Sequence, residues 1–343
     1  MRLHPFIFGK NQPLLNAGVF LLAFLLSVIP ANAYKKLDLK AADTTYRERK
    51  PSAISFNDDP VMQVDVPSID LPFTTVGGLI LVKAKVDTLE GNFVFDTGAP
   101  YLVLNKTYFR DLERTQNPAD EQSGITGEGG LSEKTTIKHL KLGAFHYYKV
   151  SSDLVSLGLI ENLRGVKILG LLGVALFKQC EIMIDYANSL LHLHYIKSSE
   201  RKTYRHALLQ DPAAYEEHEF ELWENRILLK AVYGDKKLRF VVDYAAESNV
   251  LDSRLSSAVI DSVKIQSRIT LTGTGSKKVE ALKGELTGFR FGSISCNLPV
   301  VVTSLANSCF ASNTCINGVL GFDFLSRSRL IINFVTRKLY VLK

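Results

Sequence analysis

Two aspartates, Asp96 and Asp243, stand at matching points of a chain that repeats itself. The first closes the apolar run Phe93-Val94-Phe95 and is followed by Thr97-Gly98-Ala99 and a second apolar run, Leu102-Val103-Leu104. A carboxylate that is to take a proton from water needs a fixed place, and the end of a rigid strand supplies one. Gly98 leaves room for backbone N–H groups to approach the carboxylate and accepts an unusual φ. The Thr97 hydroxyl can lock the loop by bonding across to a neighbouring unit. Asp243 closes Phe240-Val241-Val242 in the same way, but Tyr244 and Ala245 stand where the first loop has threonine and glycine.

The elements that position these loops are also written twice. Ile80–Val86 (ILVKAKV) matches Ile227–Tyr233 (ILLKAVY), and Phe93–Asn105 matches Phe240–Asp252, both 147 residues apart. Leu171-Leu172-Gly173 matches Val319-Leu320-Gly321, and Ile182–Leu193 matches Leu330–Val341, at 148. A solenoid needs shorter and more numerous units, so two copies imply two similar lobes. Each copy alternates short apolar stretches with turn residues, which predicts strands. One hairpin is expected from Leu79–Val86 through a turn at Leu89-Glu90-Gly91 to Asn92–Asp96. Another is expected from Ile227–Tyr233 through Gly234-Asp235-Lys236 to Leu238–Asp243. Short helices are expected over residues 106–114 and 253–263.

Residues 1–33 read as a cleavable export signal: Arg2 and Lys10, an uncharged apolar run from Ala17 to Ile29, then Ala31-Asn32-Ala33. A periplasmic or secreted protein is therefore expected, with no membrane span after cleavage. Residues 34–59 form a polar leader, 60–197 the first lobe and 198–343 the second, with 198–219 as linker. The leader carries Lys35, Lys36, Arg47, Arg49 and Lys50. Loss of residues 1–33 lowers the net charge from +6 to +4, and no basic block with interleaved aromatics exists, which argues against nucleic acid as a partner. Export permits disulfides, and Cys309 and Cys315, close together in a polar loop, are the expected pair.

The strand–Asp-Thr-Gly-Ala turn, the later Leu171-Leu172-Gly173, and their second copies resemble the aspartic peptidase family, both pepsin-like and retropepsin-like, from Leu79 to the end of the chain. The resemblance implies a mostly-β, bilobal acid-protease fold of two homologous barrel-like lobes, with Gly173 and Gly321 as motif glycines. It implies an endopeptidase acting on peptide or protein as a monomer, without metal or organic cofactor. Asp96 and Asp243 would form the catalytic pair, sharing one proton because two carboxylates so close cannot both ionise. Thr97, Gly98, Ala99, Tyr244 and Ala245 would form the active-site loops. Thr126, Gly127, Glu128 and Gly129 would form the flap, with Gly273-Thr274-Gly275 as its second-copy counterpart.

The second loop departs from this pattern. A phenol at Tyr244 does not suit a compact hydroxyl lock, and Ala245 would be strained if φ were positive there. Three readings follow: a working intramolecular pair, an inactive pseudo-peptidase that binds peptide in the cleft, or first lobes pairing between chains. Elsewhere, His192 and His194 share a strand face without an evident third metal ligand. Asp185 aligns with Asn333 and is expected to stabilise a turn. Cys180 is expected to be buried or paired with Cys296. The sequence contains no His-Glu-x-x-His, Gly-x-Ser-x-Gly or phosphate-loop motif.

Overall fold

The computed structural model describes residues 59–123, 131–272, 278–306 and 315–343, together with the strand Leu26–Val28. Most of the expected signal and of the leader, the flap residues Thr126 to Gly129, the Gly273 turn and Cys309 lie outside the described residues. No helix among the described residues is long and apolar enough to cross a membrane.

The described chain is mostly β, and equivalent strands of the two copies are joined in one pattern. In the first copy these are β1 (Leu79–Val86), β2 (Leu89–Phe95), β3 (Leu102–Asn105), β4 (Leu131–Leu142), β5 (Phe145–Val155) and β6 (Gly170–Leu172). In the second they are β7 (Arg226–Tyr233), β8 (Lys236–Val242), β9 (Val250–Asp252), β10 (Lys278–Phe291), β11 (Ile294–Thr303) and β12 (Gly318–Leu320). The second set closes on itself as a six-stranded barrel: β7 pairs β8, then β12, β9, β11 and β10 follow, and β10 returns to β7. The first set repeats the pairings β1–β2–β6–β3–β5–β4, with β4 touching β1 at Lys141↔Lys85 and Leu140↔Val86. It lies within a larger sheet of 15 strands, so it is not an isolated counterpart of the second barrel.

That larger sheet joins the copies. Ser68–Val76 pairs Leu190–Tyr195, which pairs Cys180–Asp185, which pairs Leu330–Asn333 of the second copy. The sheet continues through Lys338–Leu342 to Tyr215–Glu219. These last five residues fall in the segment expected as linker; the rest of it makes short 3₁₀ turns.

Local chemistry moves two expected turns. Val86 pairs Leu89 and Tyr233 pairs Lys236, so the hairpin loops are the two-residue Asp87-Thr88 and Gly234-Asp235. Asp87 and Gly234 take φ of 51° and 57°, the left-handed conformation that matches the twist of the flanking strands. Leu89-Glu90-Gly91, expected as the turn, is strand. Residues 106–114 form turns and not a helix, while the 253–263 segment yields only the four-residue helix Ser257–Ile260. The longest helix among the described residues, Gly158–Arg164, was not anticipated; Gly165 ends it at φ 62°.

Candidate active site

Asp96 follows β2 and Asp243 follows β8. Each strand end is tied to the neighbouring strand of its own copy: Asp96 N–H donates to the Leu172 carbonyl (3.1 Å) and Asp243 N–H to the Leu320 carbonyl (2.9 Å). Both aspartates are fully buried. Asp96 Oδ1 accepts the N–H groups of Gly98 and Ala99, both at 2.9 Å. Asp243 Oδ1 accepts those of Ala245 (2.8 Å) and Ala246 (3.1 Å). The other oxygens, Asp96 Oδ2 and Asp243 Oδ2, are buried and accept no bond from a protein donor. The two carboxyls interact with each other. Each faces an acceptor of its own kind, so a hydrogen bond between them requires a proton on one.

The geometry explains Gly98 by space. A Cβ there would lie 2.6 Å from Asp243 Cγ and 2.9 Å from Oδ1, with Oδ2 closer still. Neither Gly98 nor Ala245 has a positive φ. The strain expected for alanine at 245 is therefore absent: its backbone is ordinary, and its methyl is buried in an apolar cluster with Leu79, Val94 and Ala99. Gly173 and Gly321 also answer to space. A Cβ at Gly321 would lie 2.6 Å from the Ala246 carbonyl oxygen, and one at Gly173 would meet the Tyr101 and Ala99 carbonyls. Both glycines let the chain leave β6 and β12 directly beneath the aspartate loops.

Thr97 bonds across the copies. Its hydroxyl donates to the Val242 carbonyl (2.8 Å) and accepts the Tyr244 N–H (3.1 Å). Tyr244 thus joins the lock through its backbone. Its buried ring turns away to pack on Phe95 of the first copy, with centroids 5.6 Å apart. The expected conflict with a phenol does not arise, because the lock uses one hydroxyl and a main-chain donor.

Burial dominates the electrostatics. It raises Asp96 from 3.8 to about 7, against the opposing pull of the Ala99 and Gly98 amides, the Arg226 charge and Asp243. Burial, and then the charge of Asp96, hold Asp243 well above the usual carboxylate range. Arg226, at the start of β7, is fully buried, and its Nε donates to the Gly98 carbonyl (3.1 Å). Arg164 pairs with Glu247, four residues after Asp243, in a second charged contact between the copies. Asn249 braces the second loop from below: its Oδ1 accepts Gly321 N–H (2.9 Å) and its Nδ2 donates to the Pro299 carbonyl (2.9 Å). Sequence reasoning missed Arg226, Arg164, Glu247 and Asn249. The signal for Arg226 was available, since the 147-residue offset sets it opposite Leu79.

The remaining candidates lie away from this site. His192 Nδ1 bonds Asp70 (2.6 Å) and His194 Nδ1 bonds Ser68 (2.7 Å), beside His206. Among the described residues no group of three or more His, Cys, Asp or Glu is arranged to hold a metal. Asp185 accepts from Asn188 N–H (3.0 Å), and Asn333 in the same way from Thr336 N–H (3.0 Å), so both order turns. Cys180 and Cys296 are free thiols and not a pair; Cys315 is disulfide-bonded.

The duplicated strand–loop unit, each copy ending on a buried aspartate, defines a class of β-rich proteins. An aspartyl protease family model matches residues 82–176 and 229–324, more than half of the chain, and both aspartates fall within the matches. The chain belongs to that family. A crystal structure of a retropepsin-like aspartic protease from Rickettsia conorii is 20% identical, aligned over 40% of this chain and 94% of its own, with a TM-score of 0.26. No curated protein matches the chain.

Proposed function

We propose that this protein is an exported aspartic endopeptidase in which Asp96 and Asp243 form one catalytic pair between two lobes. The observation that carries the reading is the matched arrangement of two interacting carboxyls: one oxygen of each is held by two backbone N–H groups, and the other is buried without a protein donor. The pair shares one proton. The ionised member takes a proton from a water molecule, whose oxygen bonds to the scissile carbonyl carbon. The protonated member donates to the carbonyl oxygen; the member that took the water proton then passes it to the nitrogen, the C–N bond breaks, and a diol hydroxyl returns its proton to the other aspartate as the carbonyl re-forms. The substrate is peptide or protein, the active unit is one chain, and the Cys309–Cys315 bridge and the export signal belong to the same proposal.

The test uses protein from Tyr34 onward on a mixed peptide library from acidic to neutral pH, beside Asp96→Asn and Asp243→Asn. Cleavage lost in both variants supports the intramolecular pair. Loss in Asp96→Asn alone would favour first lobes pairing between chains. Peptide binding without cleavage at any pH would favour the inactive binder, the reading suggested by Tyr244 and Ala245.

A further inference from the structure

Arg226 is among the largest fully buried side chains of the molecule. A guanidinium taken out of water is costly unless its surroundings answer its charge. The groups that face it are Glu224, 3.7 Å from Nη1, together with Asp96, Asp243 and Tyr101. Its Nε bond to the Gly98 carbonyl has a further effect, because that carbonyl shares its peptide group with the Ala99 N–H, which donates to Asp96 Oδ1. Arg226 therefore grips the first aspartate loop on the side away from its carboxylate. Chains of hydrogen bonds polarise one another, so the grip strengthens the hold on Asp96.

Among the described residues the second loop shows no such grip. The repeat sets Leu79 opposite Arg226 and Ala245 opposite Gly98, and these two lie in one apolar cluster. A charged contact on one side of the pair thus corresponds to an apolar one on the other.

We infer that Arg226 is a positioning residue that divides the labour of the pair, making Asp96 the member that ionises and Asp243 the member that keeps the proton. This rests on the peptidase reading above. In that reaction Asp96 takes the proton of the attacking water, the water oxygen bonds to the carbonyl carbon, and the carbonyl oxygen takes the proton of Asp243. Burial raises both carboxyls, and the Arg226 charge is among the influences that oppose it at Asp96.

The test is a carbon-13 titration of the aspartate carboxyls in the full chain, with the two signals assigned through Asp96→Asn and Asp243→Asn. Because the pair titrates as a unit, the readout is which carbon carries most of the first step. In the wild type that carbon is expected to be Asp96. In Arg226→Met the Asp96 step should move up by at least about one pH unit, with Arg226→Lys in between. The acidic limb of the kcat/KM profile should move with it, while KM holds. First titration at Asp243 in the wild type would overturn the inference even if Arg226→Met failed to fold. An unmoved Asp96 step in a folded Arg226→Met would do the same. A chain that cleaves nothing, yet titrates at Asp96 first and responds to Arg226→Met, would keep this inference and remove the peptidase reading.

Discussion

Gly98→Ala tests whether the two loops meet as closely as described. Its methyl would stand 2.6 Å from Asp243 Cγ, whereas ordinary contact begins near 3.4 Å, so one side must yield by about 1 Å. The Asp243 carboxyl is not a free end. Its Oδ1 is held by two N–H groups at 2.8 and 3.1 Å, and retreat weakens both. Overpacking of this kind costs roughly 1–3 kcal/mol, and each hydrogen bond lost to the protonated carboxyl adds about 0.5–1.5 kcal/mol. A misplacement of about 1 Å at reacting groups lowers rate by about 10²-fold. Gly98→Ala should therefore lower the melting temperature in calorimetry and reduce kcat/KM about a hundredfold. Ala245→Gly, which only removes a methyl, should keep activity within about tenfold and cost roughly 1–2 kcal/mol through backbone freedom and lost burial. A Gly98→Ala protein with wild-type melting and wild-type kcat/KM would refute the close approach.

Asp96 binds its proton more tightly in the fold than in the unfolded chain, so its contribution to stability is complete below about pH 4 and is lost as pH rises to about 7. Chemical denaturation across that range should show a decline of up to about 1.4 kcal/mol per pH unit that is reduced in Asp96→Asn. Tyr244→Phe should retain activity and stability to within about 1 kcal/mol, because the lock uses the main chain; Tyr244→Ala should cost about 3–5 kcal/mol by opening a cavity beside Phe95. Cys180, whose thiol burial pushes far up, should resist iodoacetamide until the protein unfolds, as followed by mass spectrometry.

The sequence located the strands and both aspartates because the repeat compares the chain with itself. A carboxylate at a strand end is visible in a single copy; its partner becomes visible once the offset is found. Tyr244 was misread because residue type reports the side chain, and the bond that matters there is made by backbone. Ala245 was misread because its family counterpart is glycine, and glycine serves either unusual φ or crowding; only coordinates distinguish the two. Arg226 at the head of a strand looks like an exposed charge, and nothing local signals that the first loop's carbonyl lies over it. The Asp87 turn was missed because aspartate at positive φ is less marked than glycine.

The sheet in which Cys180–Asp185 lies against Leu330–Asn333 has a consequence for how the site can vary. Two identical chains meeting about a twofold axis must present the same loop twice, so any substitution appears on both sides. Here the copies are tethered, and the meeting of the loops is a unimolecular event, insensitive to dilution. Arginine can then stand on one side where leucine stands on the other, and tyrosine opposite threonine. The duplication allows each carboxylate an environment of its own.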